Sequence, residues 1–129
     1  MIDIKKIDAL EKLIGKLNSF YSEMGALAKK SPNDGLNIFK LNLINSTIKD
    51  CNLLLGKEYK PFEDFEIFNK DDLPTNSDVT LILSQYLEAL EKFRSDNITI
   101  ESFSGKWYYK TEKGLSNIQT SPPAKIKNN

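Results

Sequence analysis

Residues 7–30 read IDALEKLIGKLNSFYSEMGALAKK, and their spacing decides the fold class. Ile7, Leu10, Ile14, Leu17, Tyr21, Met24 and Ala28 recur at alternating intervals of three and four, which is the seam of an α-helix. Leu13, Phe20 and Leu27 add a second row beside it. The apolar stripe is therefore wider than a two-stranded coiled coil uses, and it suits a helix with two neighbours. Asp3 or Asp8 near its start and Lys29–Lys30 at its end complement the helix dipole. The stretch SPNDG, residues 31–35, then breaks the chain.

A second helix is expected from about Leu36 to Leu55. Its rows are Ile38, Leu41, Ile44, Ile48, Cys51 and Leu55, with Leu36, Phe39, Leu43 and Leu54 beside them. Gly56 stands where a helix-ending glycine belongs. The short break between the two helices implies that they pack antiparallel. Residues 57–74, KEYKPFEDFEIFNKDDLP, are long for a connection, and Phe62, Phe65 and Phe68 recur in them at every third position. Rings in that number call for burial, so a turn laying them over the end of the helices is expected. The region is also acidic, with seven acids and two lysines between Glu58 and Asp78, a net of −5. Thr75 and Asp78 form a capping box that launches a third helix through about Asp96.

Residues 104–114, SGKWYYKTEKG, hold the only tryptophan and two of the five tyrosines. With Ser104–Gly105 as a two-residue turn, Phe103 faces Lys106, Ser102 faces Trp107, Glu101 faces Tyr108 and Ile100 faces Tyr109. One face of this hairpin then carries Ile98, Ile100, Trp107 and Tyr109, and the other Phe103, Lys106, Tyr108 and Lys110. Two strands alone are marginal, so the hairpin must dock on the helices or on another chain. Beyond Gly114 the chain is polar and without evident periodicity. The expected architecture is mainly α: a three-helix antiparallel bundle, an aromatic-rich connecting loop, and a C-terminal β-hairpin with a polar tail. It forms one domain over residues 1–114, with 115–129 as an extended or disordered basic tail. From Lys106 onward there are five lysines and one glutamate, a net of +4.

Composition narrows function mostly by exclusion. The 129 residues carry 18 basic and 18 acidic side chains, and only Arg94 among the basic ones is arginine. A general nucleic-acid binder usually shows a basic excess, and reading of phosphate or guanine favours arginine. Histidine is absent, which removes the commonest general base and metal ligand. The single cysteine, Cys51, excludes an internal disulfide and sits in an apolar row as a small core residue. The glycines form no phosphate-binding loop, and no serine stands in a GxSxG elbow. The acidic stretch lacks the glycine and final glutamate of a calcium loop. Glu88, Glu91 and Arg94 fall a helical turn apart and read as an exposed, salt-bridged face. The charged start of the chain does not read as a signal peptide, no apolar run reaches membrane-spanning length, and a lone thiol suits a reducing compartment. The expectation is a cytoplasmic, non-catalytic protein that uses no cofactor and no metal.

What remains is binding by surface, as in a small accessory, adaptor, immunity or inhibitor-like protein. The candidate contact residues are Phe62, Phe65 and Phe68 of the acidic connection, joined by Phe103, Lys106, Tyr108 and Lys110 of the outer hairpin face and by the tail. The partner is another protein, and the wide helical stripes also suggest a homo-oligomer. The alternative is nucleic-acid binding through the basic aromatic C-terminal region, with Tyr108 stacking on bases and Lys106, Lys110, Lys113, Lys125 and Lys127 on phosphates.

Overall fold

The computed structural model of the chain describes residues 2–124. Three helices are followed by a three-stranded antiparallel sheet: α1 (Ile4–Lys30), α2 (Ile38–Tyr59), α3 (Asn76–Asp96), β1 (Ile98–Ile100), β2 (Trp107–Thr111) and β3 (Gly114–Thr120). Each helix touches the other two. One core joins them, built from Ile7, Leu10, Leu17 and Met24 of α1, Leu41, Ile44, Ile48 and Cys51 of α2, and Val79, Leu83, Tyr86 and Leu90 of α3. Burial of these aliphatic side chains is the main favourable term, at roughly 1.5–3 kcal/mol each.

Local chemistry sets the helix ends. The Asp3 side chain accepts the Lys6 N–H at 2.8 Å and opens α1. Asn37 does the same for α2, from Lys40 N–H at 2.9 Å. The expected capping box at α3 is present: Thr75 Oγ1 accepts the Asp78 N–H, and Asp78 Oδ2 accepts the Thr75 N–H. Gly56 adopts φ +65°, so the regular helix stops there as the glycine implied, and one further turn reaches Tyr59. The buried stripe of α1 departs from the expected seam. Leu13 of the second row is buried, Ile14 is half-buried, and Tyr21 is 40% exposed. An α-helix turns 100° per residue, so a strict heptad row drifts off the core within a few turns.

The C-terminal region differs from expectation in two ways. The turn after β1 is not the two-residue Ser104–Gly105 hairpin. Ile98 pairs with Tyr109, Thr99 with Tyr108 and Ile100 with Trp107, a slip of two residues from the expected register. Glu101 N–H bonds Lys106 O, Gly105 N–H bonds Glu101 O, and Glu101 Oε1 accepts the Ser104 N–H. The loop therefore holds four residues, with Gly105 at φ +71°. Because the side-chain period of a strand is two, this slip leaves the residues of β1 and β2 on their expected faces, while Phe103 falls in the loop. Tyr109 and Ile98 are buried, Trp107 is half-buried, and Ile100 is half-exposed.

The second departure is the tail. Residues 115–120 form most of β3 and pair with β2 rather than lying extended or disordered. The two-residue turn is here, at Glu112–Lys113, between the paired Thr111 and Gly114. Thr111 Oγ1 accepts the Lys113 N–H and donates to Gly114 O, and Gly114 adopts φ +101°. β3 is irregular between its pairings with Lys110 and Tyr108. Ser116, Ile118 and Thr120 alternate as its half-buried residues, a weak period of two that polar composition hides.

Candidate functional site

The connection between α2 and α3 is irregular apart from a single 3₁₀ turn at Lys70–Asp72, yet it is fastened along its length. Two asparagines of α2, seven residues apart, do most of this. Asn45 Nδ2 donates to Phe68 O and Asn45 Oδ1 accepts the Phe68 N–H, both at 2.9 Å. Asn52 Nδ2 donates to Glu66 O at 2.9 Å, and its Oδ1 accepts the Tyr86 hydroxyl at 2.7 Å. Lys60 pairs with Glu66 at 2.6 Å. At the far end Leu36 N–H bonds Pro74 O, Asn76 N–H bonds Asp34 O, and Asn76 Nδ2 bonds Ser31 O. These bonds satisfy backbone groups that a helix or sheet would otherwise pair.

The three phenylalanines of the connection face inward. Phe65 stacks edge-on with Phe62 at 6.1 Å and Phe68 at 5.1 Å between ring centres, and both Phe62 and Phe65 lean on the fully buried Tyr86. Phe68 is buried, and Phe62 and Phe65 are half-buried against the core. They lie over the helices as the sequence implied, but this removes Phe68 as a partner-facing residue and leaves only edges of the other two. Burial pushes the Tyr86 hydroxyl up to about 12.

What the connection offers to solvent is different. Leu73 is 75% exposed and adopts φ +52°, the only positive φ outside glycine among the described residues. A leucine in that region, directly before a proline, is held there by the bonds on either side of it. Ile67 is half-exposed. Asp71 and Asp72 before Leu73, and Glu63 and Asp64 ahead of Ile67, are exposed and enter no ion pair among the described residues. The outer surface thus carries two exposed aliphatic side chains, each with acids near it along the chain.

The remaining candidates stand apart. Phe103 sits at the tip of the β1–β2 turn and is 99% exposed. Lys106 is exposed, and Tyr108 and Lys110 are half-buried on β2. Alternation places Lys106, Tyr108 and Lys110 on one side of the strand. No hydrogen bond, ion pair or ring contact among the described residues joins this group to Phe62, Phe65 or Phe68. Lys125 and Lys127 lie outside the described residues.

The helical spacing predicts Arg94 on an exposed charged face, and the structure overturns this. It is 6% exposed, and all five of its N–H donors are used. Nε and Nη2 grip the Glu91 carboxylate at 2.8 and 3.0 Å. Nη1 bonds Thr120 Oγ1 and Ser121 O, and Nη2 bonds Pro122 O. Glu91 Oε2 in turn accepts the Ala124 N–H at 2.8 Å. This one pair straps residues 120–124 onto α3. Burial works to raise the Glu91 carboxyl, but hydrogen bonds from Arg94 and Ala124 and the guanidinium charge outweigh it and hold it below the usual range. The signal in the sequence was the lone arginine among lysines, since only a guanidinium presents this planar fork. The signal for Asn45 and Asn52 was two poor helix formers inside α2 on one side of the helix.

Cys51 is buried, and burial first, then the charge of Asp50, pushes its thiol up to about 12. Among the described residues no group of three His, Cys, Asp or Glu side chains is placed to hold a metal ion. Among the described residues no helix is long and apolar enough to cross a membrane. No protein-family model, curated protein or solved structure matches the chain.

Proposed function

We propose that the chain is a non-catalytic protein-binding module whose contact surface is the outer side of the acidic α2–α3 connection. The three helices, read as an antiparallel bundle, serve as its scaffold. The observation that carries this is Leu73, an exposed leucine held at positive φ by bonds on both flanks, with Asp71 and Asp72 beside it as an acidic frame. A segment ordered before binding loses little entropy on association. The frame suits a partner that presents lysines or arginines around an apolar pocket, and long-range attraction would speed the encounter.

The test is capture with the tagged full chain from its native source, in the wild-type form and as Leu73→Asn and Phe103→Ser variants. Asparagine tolerates the left-handed backbone at position 73 while removing the apolar knob. A protein retained by the wild type and by Phe103→Ser, but lost by Leu73→Asn, is the expected result. Retention indifferent to Leu73→Asn would sink the reading.

The second reading, nucleic acid along the sheet, has one observation in its favour: Tyr108 and Lys110 at alternate positions of β2, with Lys106 just before it. It predicts nucleic acid in the same capture, retained at low salt, lost at high salt, and abolished by Tyr108→Ala with Lys106→Glu.

A further inference from the structure

α2 carries more apolar surface than the rest of the chain covers. The row beside its buried stripe leaves Phe39 71% and Leu43 45% exposed. Next to them Phe20 and Met24 of α1, with Leu43 and Ile44 of α2, wall a groove of about 300 Å³. Lys40 and Glu23 meet across it at 3.1 Å, and both remain partly exposed.

We infer that this groove is the docking site for a second copy of the chain, arranged about a two-fold axis. An interface of that symmetry uses the same patch twice, so the patch must complement itself in shape and in charge. Here both conditions hold on one surface. Phe39 forms part of the groove's own wall and is largely exposed at its edge. In a two-fold pair each Phe39 enters the other copy's groove. The rim carries one ammonium and one carboxylate, so two copies meet without net repulsion, and Lys40 can turn from its own Glu23 to the partner subunit's Glu23. The acidic α2–α3 connection has no such balance and would repel its own copy. The exposed apolar area rests on a few side chains, well short of the roughly 800 Å² per partner of a standard interface. The dimer is therefore a weak one, with a dissociation constant on the order of tens of micromolar.

Sedimentation equilibrium of the full chain from about 5 to 500 µM spans that range. The expected result is a monomer passing to a dimer with concentration. Phe39→Glu should weaken the dimer about tenfold or more, as loss of a central aromatic anchor does. Leu53→Glu, at a 77% exposed leucine that does not line the groove, should leave it unchanged. Lys40→Glu should also weaken it, and adding Glu23→Lys should restore it, with circular dichroism confirming that each variant keeps its helices. A chain that stays monomeric throughout, a different defined oligomer, a dimer indifferent to Phe39→Glu, or one equally disrupted by Leu53→Glu would overturn the proposal.

Discussion

The α2–α3 connection and the C-terminal sheet are opposites in how they are held. The connection has almost no regular backbone pairing, yet two asparagines of α2 bond its backbone and its rings join the core at Tyr86. The sheet has regular ladders, yet its end is fixed to the helices by one ion pair, Arg94–Glu91, and the residues it buries fully are few, chiefly Ile98 and Tyr109. Order and regular secondary structure are thus separate properties. A segment is ordered when its backbone groups are satisfied and its apolar groups buried, whichever atoms do the satisfying.

The contrast can be broken at Tyr86, the ring on which the connection rests. Tyr86→Ala should cost about 4 kcal/mol in urea unfolding, because it removes a fully buried ring and its bond to Asn52. A loss under about 1 kcal/mol would mean that the connection is not tied to the core. Next in size is Arg94→Met. It leaves the Glu91 carboxylate without its partner and frees residues 120–124, at a cost of about 2–3 kcal/mol. Hydrogen exchange should show the amides of β3 and the strap losing protection while the connection keeps its own.

Acid should act on the same contact. Glu91 has a folded value below its ordinary 4.5, so the stability it contributes is complete above that pH and is lost as pH falls through the folded value. The Asn45 clamp contains no titrating group, so on acidification below about pH 4.5 the strap should loosen before the Phe68 amide does.

Asn45→Ala comes third, at about 1–2 kcal/mol, since it strands the Phe68 N–H and C=O in a half-buried place. Its exchange signature should be the reverse of that of Arg94→Met, with the connection exposed and the strap intact. Identical signatures for the two variants would dissolve the contrast. Smallest is Phe103→Ser, expected within about 0.5 kcal/mol because that ring touches almost nothing.

The helices were legible because their signals are local and redundant. Apolar spacing, the Thr75–Asp78 box and Gly56 each act within one or two turns, and they agree with one another. The faces of β1 and β2 were legible for a similar reason, since alternation survives a slip of two. The turn itself was not. Ser104–Gly105 and Glu112–Lys113 both offer turn residues beside a glycine, and the pairing of β3 with β2 decides between them. The phenylalanines of the connection announced themselves as a cluster, but their periodicity could not say whether they were contacts or core.

From its sequence alone, then, this chain is a mainly helical domain with an acidic, ring-rich connection and strand-forming aromatics near its end. These follow from residue spacing and from interactions between neighbours along the chain. The tertiary structure alone decided that residues 115–120 form a third strand, that Phe68 faces in while Leu73 faces out, and that Arg94 is a buried clamp. The places of Phe68 and Arg94 depend on partners 23 or more residues away, and the third strand on its pairing with β2. Such contacts are set by which surfaces meet once the helices have packed, and no local pattern carries that information.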